Sequence, residues 1–197
     1  MLQTNQEYKE IIIQTSRKLF ARFGYRKTTI DDIASALGKA KGSVYYYFKG
    51  KEEIFSAVVE HEALALRAEL AKVIREHRDN PINQLRGYVT MRLSLMKELA
   101  NFYSALKDEY LQHLELINKV REKYQRKELA TLQAILHAGR AKGIFEVEDI
   151  HTASLAILAA MSGLENPLFL QLVDSEKVDE RMSKVMQILL YGLIKRS

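Results

Sequence analysis

The 197-residue chain is 47% hydrophobic, enough to bury a proper core in one domain or in one domain with a small appendage, and its formal net charge is +5. It contains no cysteine, which excludes disulfides, thiol catalysis and cysteine-bound zinc and fits a reducing compartment. It has no signal-peptide pattern and no apolar run of the roughly 18 residues that a membrane span needs, so a soluble, cytoplasmic protein with no membrane partner is expected.

The pattern predicts helix throughout, since only Pro81 and Pro167 interrupt it and no stretch alternates strictly enough for a strand. A first helix spans about Gln6 to Phe23, with Ile12, Thr15, Leu19, Phe20 and Phe23 on its buried stripe and Gly24 closing it. Thr29 can cap a second helix starting at Ile30, with Asp32 in the reciprocal capping position and Asp31 also in the positively polarised first turn. Ile33, Ala34 and Leu37 form its apolar side, and Gly38 can supply the left-handed angle that ends it. Lys39 and Ala40 turn the chain into a third helix beginning near Lys41. At 100° per residue Val44 and Phe48 face the core there, while Gly42, Ser43 and Tyr46 face away, flanked by Tyr45 and Tyr47.

A fourth helix runs from Lys51 to about Arg78, roughly 40 Å, long enough to link two parts of the molecule. Asp79-Asn80-Pro81 stops it and starts a fifth, with Asn80 as cap, reaching about Leu106 and apolar nearly all round. Asp108 to Ile117 reads as a short helix, Asn118 to Lys142 as a long charged one ended by Gly143. Asp149 can cap a helix running to about Asn166, and the last occupies about Ser175 to Lys195. The fold class is therefore all-α, with about nine helices: a three-helix helix-turn-helix domain over residues 1–50, then a helical bundle over residues 51–197.

Residues 28–51 have the layout of a DNA-reading helix-turn-helix. Lys41 and Lys51 lie in the first turns of their helices, where a cation is locally unfavourable and a phosphate would compensate. Gly42 permits close backbone approach, and Tyr45 and Tyr46 can donate hydroxyl hydrogen bonds to the sugar-phosphate chain. Charge segregates accordingly. Residues 1–50 carry nine Lys and Arg side chains against four carboxylates, whereas the remaining residues carry equal numbers of each, as an electrostatic footprint for nucleic acid requires.

The N-terminal stretch resembles the DNA-binding domain of the tetracycline-repressor (TetR/AcrR-type) family of bacterial regulators. The matching residues are Ile12, Leu19-Phe20, Gly24-Tyr25, Thr28-Thr29-Ile30, Ile33-Ala34, Leu37-Gly38, Lys41 to Phe48 and Lys51 to Phe55. Lys39-Ala40 departs from the small apolar residue and serine common in that turn. The resemblance implies DNA-contacting roles for Thr28, Thr29, Lys41, Gly42, Ser43, Tyr45, Tyr46, Tyr47 and Lys51.

Dimerisation is expected through the last two helices. Ala153, Ala156, Ala160 and Gly163 form a ridge of small residues, and Met182, Val185, Met186, Leu189, Leu190 and Leu193 a broad apolar stripe; paired with a second copy they give an isologous four-helix interface, as the resemblance also implies. Two recognition helices about one duplex turn apart then read an inverted repeat. The functional expectation is a ligand-responsive repressor that binds a double-stranded operator as a homodimer and is released by a small-molecule effector. Lining residues for a lipophilic effector are Tyr88, Met91, Met96, Phe102, Tyr103, Tyr110, His113, His137 and Met161, which place aromatic, thioether or imidazole groups on central helices but equally suit plain core.

Other classes fit less well. Nine scattered glycines form no phosphate cradle and no nucleophile pairs with a base, so no enzyme and no cofactor are expected. Glu109 and His113 share a face without a third ligand, which makes a metal site a poor reading. The competing reading is a helix-turn-helix dimer acting constitutively on DNA or as a protein adaptor; a steep salt dependence of DNA binding excludes the adaptor.

Overall fold

The computed structural model describes residues 2–95, 98–108, 111, 114–164, 184, 187, 188 and 191. Among them are eight α-helices and no β-strand: α1 (Leu2–Lys27), α2 (Ile30–Ala36), α3 (Lys41–Tyr45), α4 (Lys51–Glu76), α5 (Pro81–Ser94), α6 (Ala100–Lys107), α7 (Glu115–Ala141) and α8 (Ile150–Leu164). Residues 184, 187, 188 and 191, within the predicted last helix, are helical too. The chain forms two compact units: Met1–Ala65 with Lys97–Tyr124, and Leu66–Met96 with Gln125–Ser197. Both α4 and α7 contribute to both.

In the first unit α2 packs on α3, and α1 packs on α2 and α6. Its core gathers Ile12, Phe20, Ile33, Val44, Phe48, Ile54 and Phe55, with the Phe20 ring edge-on to Phe55 at 5.0 Å. The buried stripe of α1 is Ile12, Ser16 and Phe20, a spacing of four that leads on to Gly24. Phe23, expected on that stripe, therefore falls off it: it is 47% exposed, with the Arg22 guanidinium over its ring at 5.0 Å. At Gly24 the backbone leaves helical geometry (φ 80°, ψ 160°), a region glycine enters without strain, and the chain then completes α1 at Lys27.

The helix expected from Pro81 to Leu106 is instead two. Asn80 caps α5 by accepting from the Asn83 N–H at 3.1 Å, but the helix ends at Ser94, whose hydroxyl turns back to the Met91 carbonyl at 2.9 Å. Leu99, at the start of α6, has no side chain that can cap it. Its cap comes from elsewhere in the fold: Glu62 of α4, 1% exposed, accepts from the Phe102 N–H at 2.8 Å. The same carboxylate accepts from Asn101 Nδ2 at 2.8 Å and Arg17 Nε at 2.9 Å, so one buried group ties α1, α4 and α6 together. The next long helix begins at Glu115, three residues before its expected start, and takes Glu115 to Ile117 from the short helix predicted ahead of it. Glu115 and Lys119 form an i, i+4 pair at 2.7 Å there.

The second unit buries Leu66, Leu85, Tyr88, Val89, Leu132, Leu136, Phe145, Ile157 and Met161. Gly139 fits under the Phe145 ring: a Cβ there would stand 2.0 Å from Phe145 Cδ2. Asp149 caps α8, as expected, by accepting from the Thr152 N–H at 3.1 Å. Hydrogen bonds from the Thr152 side chain and then its backbone hold that carboxyl below the usual carboxylate range.

Candidate nucleic-acid interface

The interface starts from the cap of α2. Thr29 accepts from the Asp32 N–H at 3.1 Å while its own N–H donates to Asp32 Oδ2 at 2.8 Å, a complete capping box. Hydrogen bonds from the Thr29 side chain and then its backbone depress the Asp32 pKa. Gly38 ends the element with φ 63°, the left-handed angle expected of it. The turn delivers α3 with Val44 and Phe48 wholly inside, as periodicity requires, and Lys9 Nζ lies 5.1 Å from the Phe48 ring centroid.

What remains outside is a short cationic and aromatic surface. Tyr46 is 74% exposed and Tyr45 47%. Gly42 is exposed with open space beside it, Ser43 is half-buried, and Ala40 offers no side-chain cap to the first N–H groups of α3. Tyr47 is half-buried, its ring 5.1 Å from Tyr8 of α1 and 4.9 Å from Tyr46, so it braces the exposed tyrosine from behind.

Three of the expected contact residues are otherwise engaged. Thr28 is 1% exposed and its hydroxyl donates to the Gly24 carbonyl at 2.9 Å; of the two threonines only Thr29 reaches the surface. Lys51 is not left uncompensated by its place in a first helical turn. Its ammonium donates to the Tyr25 carbonyl at 2.9 Å and lies 4.4 Å from the Tyr25 ring centroid, capping the end of α1, and burial lowers its pKa. Lys41 likewise has a partner within the chain, Asp31 at 2.9 Å, whose hydrogen bond and charge raise the lysine pKa. Both groups are exposed, so a phosphate oxygen can take the place of the Asp31 carboxylate at little cost. The structure thus brings Lys41, Gly42, Tyr45 and Tyr46 together, with Asp31 as the neighbour that sequence reasoning missed. Its signal was a carboxylate in the first turn not needed for capping.

The remaining sites divide between the units. Phe102 and Tyr103 are buried in the first, with the Phe102 ring 4.6 Å from Tyr124. Tyr88 and Met161 are buried in the second, where Met91 is half-buried. His137 is exposed, because the inner stripe of α7 is Leu132, Ile135, Leu136 and Gly139 and residue 137 falls outside it. Met96, Tyr110 and His113 lie outside the described residues. On α8, Ala156 and Gly163 are exposed and Ala153 and Ala160 half-buried; Met182, Val185, Met186, Leu189, Leu190 and Leu193 lie outside the described residues. Among the described residues no helix is long and apolar enough to cross a membrane, and no three His, Asp or Glu side chains converge on a metal position.

Sequence and structure comparisons identify the family. Residues 12–58 match the family of bacterial regulatory proteins described as the tetR family, and residues 81–186 match a tetracycline-repressor-like C-terminal domain. The transcriptional regulator QacR of Staphylococcus aureus is 27% identical over 194 residues, covering 95% of this chain and 98% of that one. The transcriptional repressor AcnR of Corynebacterium diphtheriae is 23% identical over 149 residues, covering 73% of each. A transcriptional regulator from Cytophaga hutchinsonii superposes with a TM-score of 0.76 at 27% identity, over 94% of this chain and 98% of that one. A regulator from Saccharomonospora viridis, solved in complex with choline, superposes with a TM-score of 0.80 at 20% identity, over 97% and 100%. With residues 12–58 and 81–186 both matched, the chain belongs to the TetR family of DNA-binding transcriptional regulators and is not an enzyme.

Proposed function

We propose that this protein is a ligand-responsive repressor that binds an inverted-repeat operator as a homodimer in the cytoplasm and lets go when a small molecule occupies its C-terminal part. Residues 1–50 supply the DNA contacts and residues 51–197 the effector site and the dimer interface. The observation that carries the reading is the exposed set Lys41, Gly42, Tyr45 and Tyr46 on α3 and the turn directly after it, a segment anchored in the core by Val44 and Phe48. Such a helix can enter a major groove without disturbing its own packing.

Repression is supported by AcnR, a named repressor, and small-molecule control by the choline complex of the Saccharomonospora viridis protein. Exposed Ala156 and Gly163 leave α8 able to approach a second helix closely, as an isologous interface needs. An effector preferring the non-binding state about a hundredfold supplies roughly 2.7 kcal/mol, within the usual range of allosteric coupling.

Sequencing of genomic fragments retained by the purified protein is the test. The expected result is an inverted repeat with half-sites roughly 34 to 36 Å apart, and affinity falling about 10³ to 10⁵-fold between about 50 and 200 mM salt. Retention of no common sequence, or binding indifferent to salt, refutes the reading.

A further inference from the structure

Tyr46 is the most exposed of the three consecutive tyrosines, yet its backbone is fixed, its N–H donating to the Gly42 carbonyl at 3.1 Å. Only the side-chain torsions are left to place its ring. That ring stands edge-on to Tyr47, with centroids 4.9 Å apart and planes at 78°, an arrangement that ring quadrupoles favour. Tyr47 in turn lies 5.1 Å from the ring of Tyr8 on α1. Tyr8 stands four residues before Ile12, at the head of the stripe Ile12, Ser16 and Phe20, so the packing of α1 decides where its ring emerges. The next residue, Lys9, lies over Phe48, and α1 therefore grips the segment after α3 at two adjacent places. The Tyr8 hydroxyl is buried and has no hydrogen-bond partner among the described residues. Burying it costs stability, and an aliphatic side chain would escape that cost, so what this residue contributes is its ring.

We propose, resting on the operator-binding reading above, that Tyr8 is a positioning residue for DNA recognition: through Tyr47 it holds the Tyr46 ring in the orientation that meets the duplex. A side chain ordered in the free protein has no ordering cost left to meet on binding, so the row of three rings raises affinity without touching DNA at its far end. The row also changes what exposure alone implies. Tyr46 is 74% exposed and Tyr45 47%, which by itself makes Tyr46 the freer ring; held edge-on by Tyr47, it is at least as ordered as Tyr45. Tyr8 carries no charge, so its contribution to affinity is independent of counterion release.

Ring order in the full-length, DNA-free protein is read by NMR relaxation with isotope-labelled tyrosine and needs no substitution. The Tyr46 ring is expected to be at least as ordered as that of Tyr45; a clearly more mobile Tyr46 ring overturns the proposal. Anisotropy titration of the inverted-repeat duplex recovered from genomic fragments then compares the parent with Tyr8→Phe, Tyr8→Leu, Tyr46→Ala and the double variant Tyr8→Leu/Tyr46→Ala. Tyr8→Leu is expected to weaken binding at least about fourfold, about twofold for each of two copies, with an unchanged salt slope. Tyr8→Phe, which keeps the ring, retains affinity within about twofold of the parent. In the Tyr46→Ala background Tyr8→Leu is expected to cost less than about 1.5-fold, because the ring it positions is gone. A merely structural role weakens binding by the same factor in both backgrounds, and that result overturns the proposal, as does a Tyr46→Ala variant that binds as tightly as the parent. Recovery of no inverted repeat removes the operator reading and the proposal with it; an operator bound with equal loss in both backgrounds removes the positioning role alone.

Discussion

Two glutamates two residues apart on α4 meet opposite environments, and the contrast gives the sharpest stability prediction. Glu62 is buried and accepts three hydrogen bonds: from Arg17, the Asn101 side chain and the Phe102 backbone. Glu60 is exposed and, among the described residues, pairs with exposed Lys123 at 3.0 Å. In Glu62→Ala the Asn101 amide and the Phe102 N–H lose their acceptor inside the core, at about 1–3 kcal/mol each; Arg17, about a third exposed, can recover water. The expected loss is about 3–4 kcal/mol, a fall in Tm of roughly 6–16 °C for a chain of this size. Glu60→Ala should cost about 0–1 kcal/mol. Urea unfolding at fixed protein concentration, with equal m values for both variants, measures the pair. A difference between them below about 1 kcal/mol refutes the reasoning, because burial and hydrogen bonding are all that separate the two positions.

The remaining predictions concern the interface and two local devices. Lys41→Ala removes one phosphate contact from each copy of a dimer, so the slope of log affinity against log salt should fall by about 1.8, and the deficit of the variant should shrink about twelvefold between about 50 and 200 mM salt; an unchanged slope means that Lys41 does not meet phosphate. Asp31→Asn frees Lys41 and removes an anion beside the duplex, so operator affinity should rise, and a fall measured by fluorescence anisotropy would contradict the pairing as a competitor. Thr29→Ala should cost about 1 kcal/mol in thermal unfolding at neutral pH. Because the folded-state pKa of Asp32 is depressed, its contribution is present above about pH 4 and lost as pH falls through the folded value, so the difference between Thr29→Ala and the parent should narrow in acid. Gly139→Ala sets a methyl against the Phe145 ring and should lower stability by about 1–3 kcal/mol, with partial recovery in Gly139→Ala/Phe145→Leu.

What could be read from the chain was what neighbours along the chain decide. The capping box of Thr29 and Asp32, the left-handed Gly38 and the inward Val44 and Phe48 depend on spacings of three or four residues, and each stands as the spacing implied. The break between α5 and α6 was not legible. Residues 81–106 are apolar enough for one helix, and what pins a new helix start at Ala100 is Glu62, nearly forty positions away. Phe23 was misplaced because the stripe of α1 keeps a spacing of four from Ile12 through Ser16 to Phe20, and a step of three leaves it. Glu62, Arg92 and Glu128 did leave a signal: each is a charged residue within an apolar stripe, four positions from Val58 and Leu66, from Tyr88, and from Leu132 respectively. A charge at such a position must find a buried partner, though only the fold says which.

The two adjacent carboxylates of α2 explain how a cationic surface is kept in order before DNA arrives. Asp32 turns inward on its own helix end and secures the cap, while Asp31, one residue earlier and so about 100° around the helix, reaches Lys41 of α3. The Lys41 ammonium is thereby held by an ion pair weak enough, in full solvent, to exchange for an outside anion such as the proposed phosphate contact. Holding and releasing are compatible only because the pair is exposed; a pair buried in the core would resist exchange with a phosphate. Long-range attraction does not suffer from the pairing, since the excess of positive charge on residues 1–50 already counts Asp31 among its four carboxylates.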